Sequence, residues 1–150
     1  MDKSYVGENK KSRERLKKLV DTITDEELTL TLNKEGWTVA AALAHLAFWD
    51  TRRLILLPKW KKNSVTPSPV DTDTINDTLI PFFLSLPPRK AAELAISTVE
   101  KLDRELETLP DDLAEAIGKT GDRSALNRGV HRKMHLDDIE NLLKTHRKRL

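Results

Sequence analysis

Cysteine is absent from this sequence. Its absence excludes disulfide bonds, thiolate metal sites and a cysteine nucleophile. It is compatible with a cytoplasmic protein, and it means that any nucleophile or metal ligand of this chain must be of another type.

Long apolar runs are also missing. The longest near-apolar stretch, VAAALAHLAFW, has 11 residues and includes a histidine, whereas a membrane span needs about 20 apolar residues. The first residues, MDKSYVGENKKSRERL, lack the apolar segment of a signal peptide. We therefore expect a soluble cytoplasmic protein that does not use a membrane as its partner.

Neither charge nor glycine points to a nucleotide or nucleic-acid ligand. The 26 basic residues nearly balance the 24 acidic ones, for a net charge of +2, so the sequence does not predict a nucleic-acid partner. The basic tail KTHRKRL is interpreted as a solvated helix end that complements the helix dipole. The five glycines are scattered and form no phosphate-binding loop, and no serine or threonine has the surroundings of a catalytic triad.

What the sequence does contain is helical periodicity. Its 150 residues, of which 38% are hydrophobic and 33% charged, suit one domain spanning residues 1–150. Four segments repeat their apolar residues at the period of an α-helix: residues 6–23, 38–60, 88–109 and 122–146. We predict an all-α fold, a four-helix bundle, with Gly129 inside the fourth helix, where it would either permit a close helix approach or leave an opening beside a bound ion.

Shorter features lie between these helices. Thr24 and Glu27 have capping-box spacing, Thr38 is a candidate N-cap, and the stretches INDTLIPFFLSL and PDDLAEAIG suggest short helices. About 25 residues with four prolines connect the second and third long helices. A connection of that length lets these two helices run parallel, as in the crossover type of bundle.

Two of the four histidines lie one helical turn apart. His131 and His135 are spaced i, i+4, which stacks their Cβ atoms about 6 Å apart on one helix face. Zinc proteases use the same spacing with a glutamate after the first histidine, and here that residue is Arg132, so a metalloprotease is disfavoured. Two surface histidines would give the same pattern, and the pair alone does not decide between the interpretations.

His45 lies in the middle of the most apolar helix. It is either a core histidine bonded to a neighbouring group, or a third ligand that meets His131 and His135 when the helices pack. Three neutral imidazoles would leave a coordination position open, as in catalytic metal sites. His146 lies about 16 Å along the helix from His135 and is too far away to share the ion.

Polar residues near these histidines are candidates for substrate binding. Asn127 and Arg128 precede His131 by four and three residues. The planar guanidinium of Arg128 could bind a carboxylate or phosphate of a ligand. The alternative is a salt bridge from Arg128 to Asp50 or Asp137.

Five polar or aromatic residues have open roles. Asp50 or Asp138 could orient a histidine ring through its second nitrogen. Trp37 and Trp49 are expected to be core residues. Asn76 either caps a short helix or reaches the mouth of a pocket.

Two stretches, GWTVAAALAHLAFWDTRRL and LNRGVHRKMHLDDIE, resemble the DinB-like superfamily of four-helix bundles, related to YfiT-type proteins and to the N-terminal domains of mycothiol-dependent maleylpyruvate isomerases. The resemblance rests on a Trp-Thr opening, a histidine and tryptophan on the second helix, and the His-x3-His pair. It implies that His45, His131 and His135 bind one divalent metal ion, usually nickel or zinc.

The resemblance also implies a class of chemistry. Characterised members include S-transferases that use bacillithiol or mycothiol, and thiol-dependent isomerases. A metal with an open position would lower the pKa of a small thiol and so supply the thiolate that this chain lacks; activation of water for hydrolysis is the related possibility. The alternative is a non-catalytic bundle, with a structural metal or none, acting as a ligand-binding or dimerisation module. A homodimer is plausible because such bundles often pair.

Overall fold

The computed structural model describes residues 2–150. Within that range the regular structure is helical, without β-strands, which confirms the all-α prediction. The helices are α1 (Ser4–Thr22), α2 (Asp25–Leu28), α3 (Val39–Lys62), α4 (Thr72–Ser85), α5 (Pro88–Glu107), α6 (Asp111–Gly118) and α7 (Gly129–Lys148).

The helix starts agree with the capping signals of the sequence. Thr24 accepts the backbone N–H of Glu27, and the Glu27 side chain accepts the N–H of Thr24, so the capping box before α2 is present. Thr38 accepts the N–H of Ala41 at the start of α3. Pro88 is the first residue of α5, where its missing N–H leaves no helix bond unmade.

The fourth long helix begins later than predicted, at Gly129 rather than at residue 122. Asp122 accepts the N–H and hydroxyl of Ser124, and Asn127 Oδ1 accepts the N–H of Gly129. Such local bonds compete with helix formation. Gly129 is therefore the first residue of α7 instead of an interior one. A Cβ there would lie 3.4 Å from the carbonyl oxygen of Glu8, so α7 does start close against α1.

The four long helices contact one another in pairs: α3 with α5 and α7, and α1 with α5 and α7. The long connection contains α4, which packs on α3. Lys61 near the end of α3 pairs with Glu105 near the end of α5. This pairing supports the predicted parallel course of α3 and α5.

Apolar side chains form two core clusters. One lies around the first half of α3, where small residues such as Ala41 and Ala44 let the neighbouring helices approach closely. The other contains Leu57 and Trp60 from the second half of α3. On α1 and α3, buried polar residues lie between the residues that belong to each cluster, and α5 and α7 place further buried polar residues beside them.

These polar residues form a buried ion network, which we call the polar layer: Arg13, Asp50, Asp103, Arg128 and Arg132. Arg132 is fully buried and donates to Asp50 Oδ2 at 3.0 Å and to Asp103 Oδ1 at 2.7 Å. Asp50 also accepts from Arg128 Nε at 2.9 Å, and Asp103 from Arg13 Nη1 at 2.6 Å. The network joins α1, α3, α5 and the start of α7 through charge-assisted bonds.

Candidate metal centre

Helices α3 and α7 bring three histidines together. The Nε2 atoms of His45 and His131 lie 3.0 Å apart, and one nitrogen from each of His45, His131 and His135 lies within 4.8 Å of the others. His45 is buried and the other two are half-buried. The convergence that the sequence pattern predicted is therefore found in the structure.

The bonds of the polar layer and the contacts among the three histidines show the direction of α7 relative to α3. Along α3, His45 precedes Asp50; along α7, Arg128 and Arg132 bond to Asp50 while His131 faces His45. The two helices thus run in opposite directions past one another. His131 and Arg132 are adjacent in α7 but reach different sites, the histidine cluster and the polar layer, because consecutive side chains project about 100° apart around the helix axis.

A turn before α3 places Trp37 against the histidines. Gly36 has a φ of 88°, a conformation that glycine adopts without steric cost, and Asn33 Oδ1 accepts the N–H of Trp37 at 3.1 Å. The Trp37 ring centroid lies 4.8 Å from that of His45 and 6.3 Å from that of His135. The indole therefore covers two of the three rings.

Trp49 also contacts His45, from a position one helical turn further along α3. Its ring centroid is 6.5 Å from that of His45, and its Nε1 donates to Asn76 Oδ1 of α4 at 2.9 Å. Both tryptophans are half-buried and line the cavity described below. They contact the candidate site instead of serving only as core, and Asn76 does reach the pocket.

The three imidazoles are uncharged at neutral pH. Burial, followed by the charges of His135 and His131, lowers the pKa of His45 to about 3. Burial, followed by the charges of His135 and Arg128, lowers the pKa of His131 to about 3. Burial also lowers the pKa of His135, and Asp138 offsets part of that effect. Neutral imidazole is the form that ligates metals.

The spacing of the His45 and His131 nitrogens fits a divalent ion, and a nitrogen of His135 lies within 4.8 Å of a nitrogen of each. Two ligands at about 2.0–2.1 Å from one ion are separated by about 2.9 Å at octahedral angles and about 3.3 Å at tetrahedral angles. The 3.0 Å between His45 Nε2 and His131 Nε2 falls in this range, and it also fits a hydrogen bond if one nitrogen carries the proton. Three nitrogen donors without a carboxylate or thiolate suit zinc, nickel or copper better than magnesium or calcium.

The second nitrogen of His45 is not held by a carboxylate. Nδ1 is buried and has no hydrogen-bond partner among residues 2–150. Asp50 does not take the predicted orienting role, because Arg128 and Arg132 occupy its two oxygens. Asp138 acts on His135 through its charge alone.

A cavity of about 690 Å³ opens beside the three histidines. Its wall is mixed, with apolar side chains and several arginines. Besides the histidines it is lined by Trp37, Trp49, Arg52, Arg53, Ser68, Pro69, Val70, Thr72, Asn76, Asp122, Ser124, Arg128, Val130 and Met134. A space of this size accommodates a small molecule with direct access to the ring nitrogens.

The family of the chain follows from a comparison with known protein families. The model of the DinB superfamily matches residues 8–136, a range that contains all three histidines. The chain belongs to the DinB superfamily. No curated protein and no solved structure matches it.

In this DinB-superfamily protein the two predicted substrate-binding residues differ in position. Arg128 lines the cavity, but it is bonded to Asp50 and to the carbonyl of Ser124, so the salt bridge considered as an alternative is present. Asn127 lines a separate groove beside Glu8. Substrate binding by Arg128 and Asn127 remains a prediction.

Sequence reasoning missed two residues that line or support the site. Arg53 follows His45 and Trp49 at helical spacing, and this periodicity could have placed it on the cavity wall. In the sequence, Arg132 stands out only as the residue that replaces a protease glutamate, and no local signal marks it as buried.

Across residues 2–150, no helix combines the length and the apolar content that crossing a membrane requires.

Proposed function

We propose that His45, His131 and His135 hold one divalent ion, nickel or zinc, at the wall of the cavity. The observation that carries this proposal is the meeting of three uncharged imidazoles beside a space large enough for a small molecule. Membership in the DinB superfamily supports it, since DinB-like proteins commonly bind metal. Three protein ligands leave at least one coordination position for another group.

We further propose that the protein activates a small thiol for an S-transfer or isomerisation reaction. A bound divalent ion lowers the pKa of a thiol that coordinates it, which makes the thiolate available at neutral pH. The chain has no cysteine, so the thiol must come from a small-molecule cosubstrate. Activation of water for hydrolysis is the related reaction, and it would need no thiol.

The residues around the histidines have defined tasks in this scheme. Trp37 and Trp49 flank His45 and limit the access of water to the rings. Arg128 places a positive charge on the cavity wall, close to where an anionic group of a substrate would lie. Asn127 bonds to the N–H of Gly129 and so fixes the start of the helix that carries His131.

Metal content tests the first part of the proposal. We expect purified protein, or protein reloaded with nickel or zinc, to hold about one ion per chain by elemental analysis. His45→Ala and His131→Ala should each weaken binding by more than about 100-fold, since the loss of a ligand costs more than the 10- to 100-fold typical of an outer-shell partner. His146→Ala is the matched control and should retain the ion. Wild-type protein that cannot be loaded would refute the proposal.

Thiol dependence tests the second part. Adding a small thiol to the nickel-loaded protein should change the metal's absorption spectrum, and turnover should require the thiol. Turnover without any thiol would instead favour activation of water.

A non-catalytic module is the second candidate function. The observation that favours it is that, among the described residues, the cavity lining has one carboxylate, Asp122, which is bonded to Ser124 and more loosely to Arg53 and so is not an unpaired general base. If chelation lowers the melting temperature while thiols leave the metal spectrum unchanged, a structural metal in a ligand-binding or dimerisation module is the better description.

A further inference from the structure

Arg53 is a buried cation on the wall of the cavity. It lies eight residues after His45 and four after Trp49, on the same face of α3. Its side chain is 8% exposed, and its Nε is buried without a hydrogen-bond partner in the described part of the chain. A buried donor without a partner is unfavourable, and the Arg53 side chain lines the cavity, so its guanidinium would gain from an anionic group bound there.

The guanidinium of Arg53 is held in place without being fully neutralised. Its Cζ lies 5.6 Å from the centroid of the Trp60 ring, a cation–π contact that fixes the plane of the group. Its Nη2 donates to Asp122 Oδ2 at 3.3 Å, longer than the roughly 2.7–2.9 Å of a good charge-assisted bond. The Asp122 side chain is 49% exposed, so water weakens the pair further.

Two other arginines of the cavity wall add to this excess of positive charge over negative charge. Arg52 donates to the carbonyl and hydroxyl of Ser68, and neither group carries a charge. Arg128 shares Asp50 with Arg132. Because burial and then the charge of Arg128 are the largest influences, the pKa of Arg53 is lowered, and Asp122 opposes this only in part.

We propose that the cavity binds a ligand whose anionic group, a carboxylate or a phosphate, is recognised by Arg53, while a thiol at the other end of the same ligand faces the three histidines. The placement of the thiol rests on the proposed function, whereas the recognition of the anionic group by Arg53 does not depend on it. Eight residues of helix separate the Cα atoms of His45 and Arg53 by about 12 Å. The ligand is therefore an extended molecule with about 10 Å between its thiol and its anion, and apolar side chains such as Val70 and Met134 line the wall that it would pass.

Matched pairs of linear ligands test this assignment. The nickel-loaded protein is titrated with ω-mercaptooctanoate and with ω-mercaptooctanol, which share the thiol and the chain length but end in a carboxylate and in an uncharged hydroxyl. We expect wild type to bind the acid about tenfold more tightly, the effect of one charge-assisted bond in a cavity. The preference should fall to within about twofold in Arg53→Met, because the methionine keeps an apolar stem but has no donor.

Arg52→Met is the control, since it removes the same charge from the neighbouring residue of the same cavity wall. It should keep most of the preference for the acid. An unchanged preference in Arg53→Met would overturn the proposal, and so would an equal loss in both variants, because that result indicates a diffuse positive field. If Arg53→Met does not fold, Arg53→Lys replaces it: a lysine lacks the planar fork, so the preference should fall at least threefold, and an unchanged value overturns the proposal.

A metal-free experiment separates this inference from the proposed function. Octanoate, octyl phosphate and octanol are titrated into metal-free wild type and Arg53→Met by calorimetry. We expect one or both anions to bind wild type and to lose about tenfold in the variant, with the tighter anion identifying the group. If neither anion binds, the subsite is refuted even in a protein that takes up nickel. If the anions bind but no metal does, the subsite stands and the metal function fails.

Discussion

His45 Nε2 lies 3.0 Å from His131 Nε2, although 86 positions separate the two residues in the chain. The pair joins α3 to α7, and both rings are shielded from water enough to hold their pKa values at about 3. Two groups that are normally half-protonated near pH 6.5 therefore stay uncharged in the folded protein through the whole physiological range.

The first prediction concerns the stability of the metal-free protein in mild acid. Below pH 6.5 the unfolded chain takes up protons at these histidines, while the folded chain does not until about pH 3. The unfolded state binds more protons in this window, so the free energy of unfolding must fall as the pH falls. Between pH 7.5 and 5.5, His45 and His131 together should cost about 3 kcal/mol, measured by urea unfolding at each pH.

The double variant His45→Gln/His131→Gln is the control for this effect. Its stability should change less over the same interval, because only His135, His146 and the carboxylates, which are common to both proteins, still titrate. A wild-type stability that stayed level or rose on acidification would contradict the assignment of two buried neutral rings.

The second prediction concerns protons released when the metal binds. Ligands that are already neutral give up no proton on coordination, so nickel or zinc uptake at pH 6.5 should be almost independent of the buffer's ionisation enthalpy in calorimetry. Solvent-exposed histidines would release about half a proton each at this pH. Release of more than one proton per ion would show that the three rings are charged before binding.

The third prediction concerns the polar layer. Replacing Arg132 by methionine leaves Asp50 and Asp103 buried with fewer partners, and breaking a buried ion pair costs about 3–5 kcal/mol. The neighbouring Lys133 is exposed and pairs only with Asp137. Lys133→Met should therefore change the free energy of unfolding by less than about 0.5 kcal/mol. Similar costs for the two variants in urea unfolding would argue against the network.

The fourth prediction concerns the bond between Trp49 and Asn76. Asn76→Ala removes the acceptor for the indole N–H, which should cost about 1 kcal/mol and speed the exchange of that N–H with solvent. Asp77→Ala, at an exposed neighbouring residue of α4, is the control. The indole exchange rate, followed by NMR, should rise in the first variant alone; equal rates in both would mean that the bond is not made in solution.

The meeting of the three histidines agrees with what the resemblance to the DinB-like superfamily implies. The local patterns, an i, i+4 pair and a histidine in an all-apolar helix, marked the residues but left their roles open, because a buried ring nitrogen needs a partner of some kind and these patterns do not say which. The capping signals at Thr24, Thr38 and Pro88 were equally local, and each marked the correct end of a helix.

Features that depend on several helices at once could not be predicted. Arg132 looks like any exposed basic residue of α7, and its burial follows only when Asp50 and Asp103 arrive from two other helices. The start of α7 was placed too early because residues 122–128 have no proline to end a helix, while the Asp122 and Asn127 side chains bond to the local backbone instead.

The polar layer also limits how α7 can sit against α3. Sliding α7 by one turn would carry the apolar Leu136 toward the two buried carboxylates and remove Arg132 from them, which leaves charges without counterions. The same axial shift would bring His135 to the position along α3 that His131 now occupies and move one imidazole out of reach of His45. Electrostatic matching at Asp50 thus selects the axial setting in which both histidines of α7 face α3, and the choice is made by residues that would never touch the ion.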